Sequence, residues 1–316
     1  VTGATLLASH PLHAADRTWP ETNCSVDLWI ELLHALGLDP VLGFGFALEA
    51  GLDGRAWTFH KYEPEDLMRL YGIRVREMAL WRPLARHLTD ELADGHLLTV
   101  EVDAIHLPDT EGVSYQLLHT KSSVGVLGFA ADERTLDYAH GAGRYRVTGR
   151  DTAALLRLDG PPENELAPYV EQVDVTWLHD PEPADVLALA RVHLGRRPVA
   201  NPVEALAARV EADLDWLVEA SAADPQLPYE YAFAVVRQCG AGAQLAADYV
   251  RALGGLDGGG LDEVAAAFDR VAQTAKSLQF LVLRRAMGRR GDLTPPLTAM
   301  AEDWAAAIGA LVARYG

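Results

Sequence analysis

The sequence predicts an α+β domain over residues 1–176 followed by an all-α helical bundle over residues 177–316. Two observations lead there. The first half mixes strand-like alternation with helical spacing of apolar residues. From about Pro183 onward the helical spacing runs almost uninterrupted, in Ala/Leu-rich segments punctuated by Pro and Gly. No internal repeat is visible.

The first element is "NCSVDLWIELLHALG". Its apolar residues Val26, Ile30, Leu33 and Leu36 fall at helical spacing, Gly37 stands at the C′ stop and Pro40 lies beyond. "AWTFHKY" reads as a strand and "EPEDLMRLYG" as a short helix. "RVREMALW" is strand-like, and "RPLARHLTDELADG" is a helix closed by Gly95. "HLLTVEVDAIHL" follows as a strand, then the loop "PDTEGVSYQLL", then three strand-like runs, "HTKSSVGVLGFA", "TLDYAH" and "RYRVTG". Helices first and an antiparallel meander after them make the half α+β.

The second half reads as five helices: "PADVLALARVHLGRRP", "PVEALAARVEADLDWLVEASA", "YEYAFAVVRQCGAGAQLAADYVRALGG", "LDEVAAAFDRVAQTAKSLQFLVLRRAMGRRG" and "PLTAMAEDWAAAIGALVARYG". The "GGLDGGG" loop joins two of them. It lacks Gly-Lys-Ser/Thr, so it is no phosphate cradle.

Composition narrows the function classes. The 316 residues are 49% hydrophobic and 23% charged, ordinary for a globular chain able to bury a sizeable core. A net charge of −18 argues against nucleic acid, whose phosphates need clustered Lys and Arg. Two cysteines cannot build a disulfide framework and do not have zinc spacing, so a reducing, cytoplasmic setting is expected. No apolar run reaches the roughly 20 residues of a membrane span. "VTGATLLASHPLHAADRTWP" lacks the basic start of a signal peptide. His10 and His13 lie about one helical turn apart, but no carboxylate or cysteine partner is obvious, so no metal is expected.

The chemistry points to "RTWPETNCSVDLWI". Cys24 sits where a polar, Pro-containing segment becomes an amphipathic run. A helix N-terminus offers unpaired N–H groups and a partial positive charge, and both stabilise a thiolate. Thr22 or Asn23 can serve as N-cap. A nucleophile needs a base, and the base needs an orienter. His119 opens one strand-like run and His140 ends the next, so the two could lie side by side as base and orienter. Cys239, mid-helix among Ala and Gly, reads as core.

The order of Cys at a helix start, His at a strand and a polar residue on the next strand is that of the papain-like fold. The stretch "VEVDAIHLPDTEGVSYQLLHTKSSVGVLGFAADERTLDYAHGAGRYRVTG" distantly resembles the N-terminal domain of the butirosin-biosynthesis acyltransferase and its relatives. Over essentially its whole length the chain is more similar to a bacterial family known as a domain of unknown function. That resemblance is carried by "HPLHAADRTWPETNC", "VEVDAIHLPDT", the "RQCGAGAQLAADY" helix and the Trp-containing last helix. It implies gene clusters with stand-alone carrier proteins and amino acid:carrier-protein ligases.

Carried over residue by residue, Cys24 matches the nucleophile, His119 the base and His140 the orienter. Asn23, Asp103 and Tyr115 are expected to contact substrate, with Asn23 or the Cys24 backbone N–H as oxyanion donor and Asp103 as an alternative orienter. The segment departs from the papain-like pattern in having Thr18, Trp19 and Glu21 where a Gln often stands. The expected function is transfer of an aminoacyl or acyl group from the pantetheine thioester of a carrier protein, through a Cys24 thioester, to a small-molecule amine. The substrate would be phosphopantetheine-linked, with no separate cofactor. The alternatives are a papain-like amidase or peptidase, and a non-catalytic scaffold that binds carrier protein. Two arginine clusters, Arg191 with Arg196 and Arg197, and Arg284 with Arg285, Arg289 and Arg290, either complement helix C-termini or dock an acidic partner.

Overall fold

The computed structural model describes residues 8–160 and 167–316. Residues 1–7, which open the stretch weighed above as a leader, lie outside them. In chain order the first elements are α1 (Cys24–Ala35), β1 (Leu52–Asp53), β2 (Ala56–Trp57), α2 (Pro64–Tyr71), β3 (Arg74–Glu77), α3 (Leu84–Ala93) and β4 (Leu97–Asp103). Then come β5 (Lys121–Ala130), β6 (Thr135–His140), β7 (Gly143–Thr148), α4 (Arg150–Leu155) and β8 (Val170–Asp174). Six helices follow: α5 (Pro183–Arg196), α6 (Pro202–Ser221), α7 (Leu227–Tyr231), α8 (Gln238–Leu256), α9 (Asp262–Ala286) and α10 (Thr294–Tyr315). Among the described residues no strand follows β8, and the fold is α+β with a helical C-terminal region. None of the described helices is long and apolar enough to cross a membrane.

The chain forms two compact units. One holds residues through Ala15, Cys24–Pro40 and Glu63–Asp180; the other holds Asp16–Asn23, Val41–Tyr62 and Pro181–Gly316.

The first unit is built on a six-stranded antiparallel sheet of order β3-β8-β4-β5-β6-β7. Strand alternation gives it two different faces. Leu98, Val100 and Val102 of β4, Val124 and Val126 of β5, and Leu136 and Tyr138 of β6 point to one side. There they meet Leu84 and Leu88 of α3 and Leu155 of α4. The other side carries α1. A Cβ on Gly125 would come within 2.6 Å of Leu32 and 3.1 Å of Leu28, so this glycine lets the helix lie close against the sheet. Burying leucines of this kind contributes roughly 2 kcal/mol each. α1 begins at Cys24, and Gly37, at φ +77, closes the turn after it.

The structure changes three details of the reading. "AWTFHKY" is a strand only at Ala56–Trp57; beyond it His60 and Tyr62 are buried by packing, and that burial produced the strand-like pattern. β8 was not anticipated, yet it pairs with both β3 and β4. The long helix expected across "YEYAFAVVRQCGAGAQ" is interrupted by a π-helical turn at Ala232–Arg237.

In the second unit α9 packs between α8 and α10. Trp304 sits edge-on to Phe268 at 5.3 Å and to Trp57 at 5.7 Å between ring centroids. Both offset and edge-on rings add to simple burial.

Candidate functional site

Cys24 is exposed and is the first residue of α1; Cys239 is buried, and burial pushes its thiol well above the ordinary range. The face of the sheet beneath α1 carries Glu101 and Asp103 from the end of β4, and Lys121 from the start of β5. Asp103 and Lys121 stand opposite each other in the register. Lys121 pairs with Glu101 at 2.8 Å. That bond is the main reason the ammonium is held above its usual range, and the charge of Cys24 adds to it. The end of β4, the start of β5 and the first turn of α1 therefore share one electrostatic neighbourhood.

His119 stands two residues before β5 rather than within it. Its Nδ1 lies 2.5 Å from Asp103 Oδ2. Asp103 is fixed in turn by N–H groups of Ile105 at 3.1 Å and Thr120 at 3.2 Å, both on Oδ1. Burial alone would raise the Asp103 pKa, but the hydrogen bonds from His119, Ile105 and Thr120 outweigh it and hold the carboxyl below its usual range. With Nδ1–H donated to a carboxylate, the imidazole presents Nε2 as its basic nitrogen. The ring is open to solvent, with 79% of its side-chain surface exposed.

His140 does not orient His119. Its Nδ1 lies 2.5 Å from Asp109 Oδ2 and its Nε2 lies 2.6 Å from Ser122 Oγ. Tyr138 donates its hydroxyl to the other Asp109 oxygen at 2.5 Å. Ser122 alternates with Val124 and Val126, so this network lies on the face turned away from α1. The two histidines end up on opposite faces of one sheet. Asp103, anticipated as a substrate contact and as an alternative orienter, is the residue that holds His119.

Two of the expected substrate contacts also hydrogen-bond within the fold. The Asn23 side chain is buried and donates its amide to the His60 carbonyl at 3.1 Å, which anchors that backbone. Tyr115 donates to Asp151 at 2.9 Å, which ties the loop after β4 to α4. His10 and His13 meet a partner the sequence did not suggest, the buried Glu31 of α1. The His10 backbone N–H lies 2.7 Å from Glu31 Oε1, His13 Nε2 lies 3.6 Å from it, and Arg144 lies 3.3 Å from Oε2. Burial raises the Glu31 pKa against the pull of the His10 N–H and Arg144.

The segment that runs into Cys24 is clamped by the "QCGAGAQLAAD" helix. Arg17 pairs with Asp248. The Trp19 backbone N–H donates to Gln244 at 2.7 Å, and its indole N–H donates to the Ala272 carbonyl at 3.1 Å. A Cβ on Gly240 would come within 2.8 Å of the Trp19 ring, and one on Gly242 within 2.2 Å of the His60 ring. Each glycine costs a helix about 1 kcal/mol relative to alanine. Here the missing side chains admit an indole and an imidazole. His60 donates to the Gln238 carbonyl at 3.2 Å, and burial holds its pKa down to about 4. The two sequence motifs are thus the two halves of one clamp, which sequence reading saw separately.

The DUF1839 N-terminal domain matches residues 8–175 and the DUF1839 C-terminal domain matches residues 180–313. The chain belongs to the DUF1839 family. No curated protein matches it. In this DUF1839 chain the clamp lies in the second compact unit, and the His119–Asp103 pair in the first.

Proposed function

We propose that this protein is a cysteine acyltransferase with a papain-like core. Cys24 is the nucleophile, His119 the general base and Asp103 its orienter. The carrying observation is the His119–Asp103 pair at 2.5 Å, at the end of β4 on the sheet face that bears α1, the helix that Cys24 opens. The donor is an aminoacyl or acyl group on the pantetheine thiol of a carrier protein. The acceptor is a small-molecule amine.

In the first step the Cys24 thiolate attacks the donor thioester carbonyl. The new S–C bond forms, and the bond to the pantetheine sulfur breaks. His119, protonated at Nε2, returns a proton to the departing thiolate. One thioester replaces another, so the step is nearly balanced in energy. In the second step the amine attacks the Cys24 thioester, His119 takes the amine proton, and the Cys24 thiolate leaves. Asp103 keeps the ring oriented and stabilises the imidazolium. The Cys24 backbone N–H, in the first helical turn, faces the developing oxyanion.

The test is incubation with an aminoacyl-loaded carrier protein followed by intact-protein mass spectrometry. Wild type gains the acyl mass, and hydroxylamine removes it. Cys24→Ala gains none, and Cys24→Ser gains an ester that turns over slowly. His119→Ala lowers the transfer rate by about 10²–10⁴, the usual worth of a positioned base. An acyl mass on Cys24→Ala removes the reading. Release of the acyl group to water with added amine present points instead to an amidase.

A further inference from the structure

A cleft of about 250 Å³ lies in the helical unit, where α6 and the last turn of α9 meet the start of α10. It is unrelated to the chemistry at Cys24. Leu293 and Leu297 are buried and form its floor, and Leu214 of α6 is half-buried at its side. Three charged residues line the same cleft: Glu211 of α6, Arg285 of α9, and Asp292 from the connection to α10.

These charges do not pair with one another. Arg285 is half-buried, and among the described residues its guanidinium takes part in no ion pair. Its stem runs beside Gly291, where an added Cβ would stand 3.8 Å from Cγ and Cδ of Arg285. Asp292 accepts the Thr294 backbone N–H at 3.0 Å through Oδ1 alone. Glu211 is exposed and likewise joins no ion pair among the described residues. Other arginines of the same unit do take a nearby carboxylate: Arg209 pairs with Asp213, Arg251 with Asp269, and Arg270 with Asp303. The dipole of α9 favours a cation in its last turn. Arg284 meets that preference from an exposed position, whereas Arg285 lines the cleft.

We propose that this cleft binds a free aliphatic α-amino acid of about the size of leucine. The carboxylate of the ligand meets the Arg285 guanidinium, whose planar fork suits it. The ammonium lies between Glu211 and Asp292, and the side chain rests on Leu214, Leu293 and Leu297. A lone anion would face two carboxylates, and a lone cation would face Arg285. A zwitterion matches the charge pattern better than either. The volume falls below the roughly 300–1,000 Å³ of drug-sized sites, which limits the ligand to a small molecule.

The experiment is an amide NMR titration of the full chain at low salt with four probes: L-leucine, isocaproate, isoamylamine and glycine. Isocaproate lacks the ammonium, isoamylamine lacks the carboxylate, and glycine lacks the side chain. L-leucine should bind saturably, shift the amides of Glu211, Leu293 and Thr294, and bind about tenfold or more tighter than each of the other three. Arg285→Gln should weaken leucine binding about fivefold or more. Glu211→Gln and Asp292→Asn should each weaken it about threefold. Absence of saturable leucine binding would overturn the proposal, as would shifts confined to other parts of the chain. So would equal binding of isocaproate, isoamylamine or glycine, or leucine binding indifferent to Arg285→Gln or to both acidic replacements. The wild-type comparison of probes decides the matter even if a variant fails to fold. Acyl transfer through Cys24 is a separate readout, so either proposal can fail without the other.

Discussion

Two of the histidine–carboxylate pairs at one sheet lie on opposite faces, and both have a nitrogen–oxygen distance of 2.5 Å. His119 and Asp103 show 79% and 36% of their side-chain surface; His140 and Asp109 show 12% and 5%. The inner pair is closed. Ser122 takes the second His140 nitrogen and Tyr138 the second Asp109 oxygen, so each member is satisfied within the fold. The outer pair lies on the face that bears α1, beside a lysine that senses Cys24. Identical pair geometry therefore stands in two different surroundings. A satisfied network inside the fold stiffens a core, whereas an exposed pair contributes little to stability; in the proposed reading it leaves the basic nitrogen open to substrate.

The largest effect that separates the two is on stability. Asp109→Ala strips a mostly buried imidazole and the hydroxyl of buried Tyr138 of their acceptor. It should cost about 2–4 kcal/mol in urea unfolding. Asp103→Ala, at the exposed pair, should cost under about 1 kcal/mol. Equal losses from the two substitutions would show that exposure does not distinguish the pairs.

A third histidine extends the contrast to pH. His60 is fully buried and held at about 4, below an unfolded value of 6.5. Its pKa is lowered on folding, so its stabilising effect is complete above pH 6.5 and is lost as pH falls toward about 4. That shift corresponds to roughly 3 kcal/mol. An NMR titration should find the His60 ring neutral at pH 5. A midpoint near 6.5 would mean that its burial against Gly242 is not maintained in solution.

The smallest effect concerns Lys121, which is exposed and paired with Glu101. Lys121→Met should slow alkylation of Cys24 by only about two- to threefold, as expected of a solvent-screened charge. A change of a hundredfold would make Lys121, rather than His119, the main electrostatic partner of the thiol.

Periodicity and punctuation made the helices legible. Gly37, Gly72 and Gly95 stand at positive φ just beyond α1, α2 and α3. β8 was not legible, because "VEQVD" is short and three of its five residues are polar. Its strand character comes from insertion between β3 and β4. The residue that holds His119 could not be read from sequence. Proximity of consecutive strands suggested His140. The face on which a side chain stands depends on register, and Ser122, Val124 and Val126 place that network inward. Asp103 reaches His119 because β4 and β5 are antiparallel neighbours, so the residues flanking the connection meet. Glu31 was hidden because helical spacing marks apolar positions and is silent about a buried acid beside them. The clamp could be read only as two separate strings; that Gly240 and Gly242 receive Trp19 and His60 is a fact of packing.

The central claim is that the outer pair, and not the inner one, activates Cys24. The direct measurement is the rate of Cys24 alkylation by iodoacetamide against pH, with buried Cys239 as the unreactive control. It is made on wild type, His119→Ala and His140→Ala at a temperature where all three are folded. The account predicts a wild-type inflection well below the ordinary thiol value of about 8.5. His119→Ala should move it back toward that value, and His140→Ala should leave it in place. An unperturbed inflection in wild type, or an equal displacement by the two substitutions, would contradict the account.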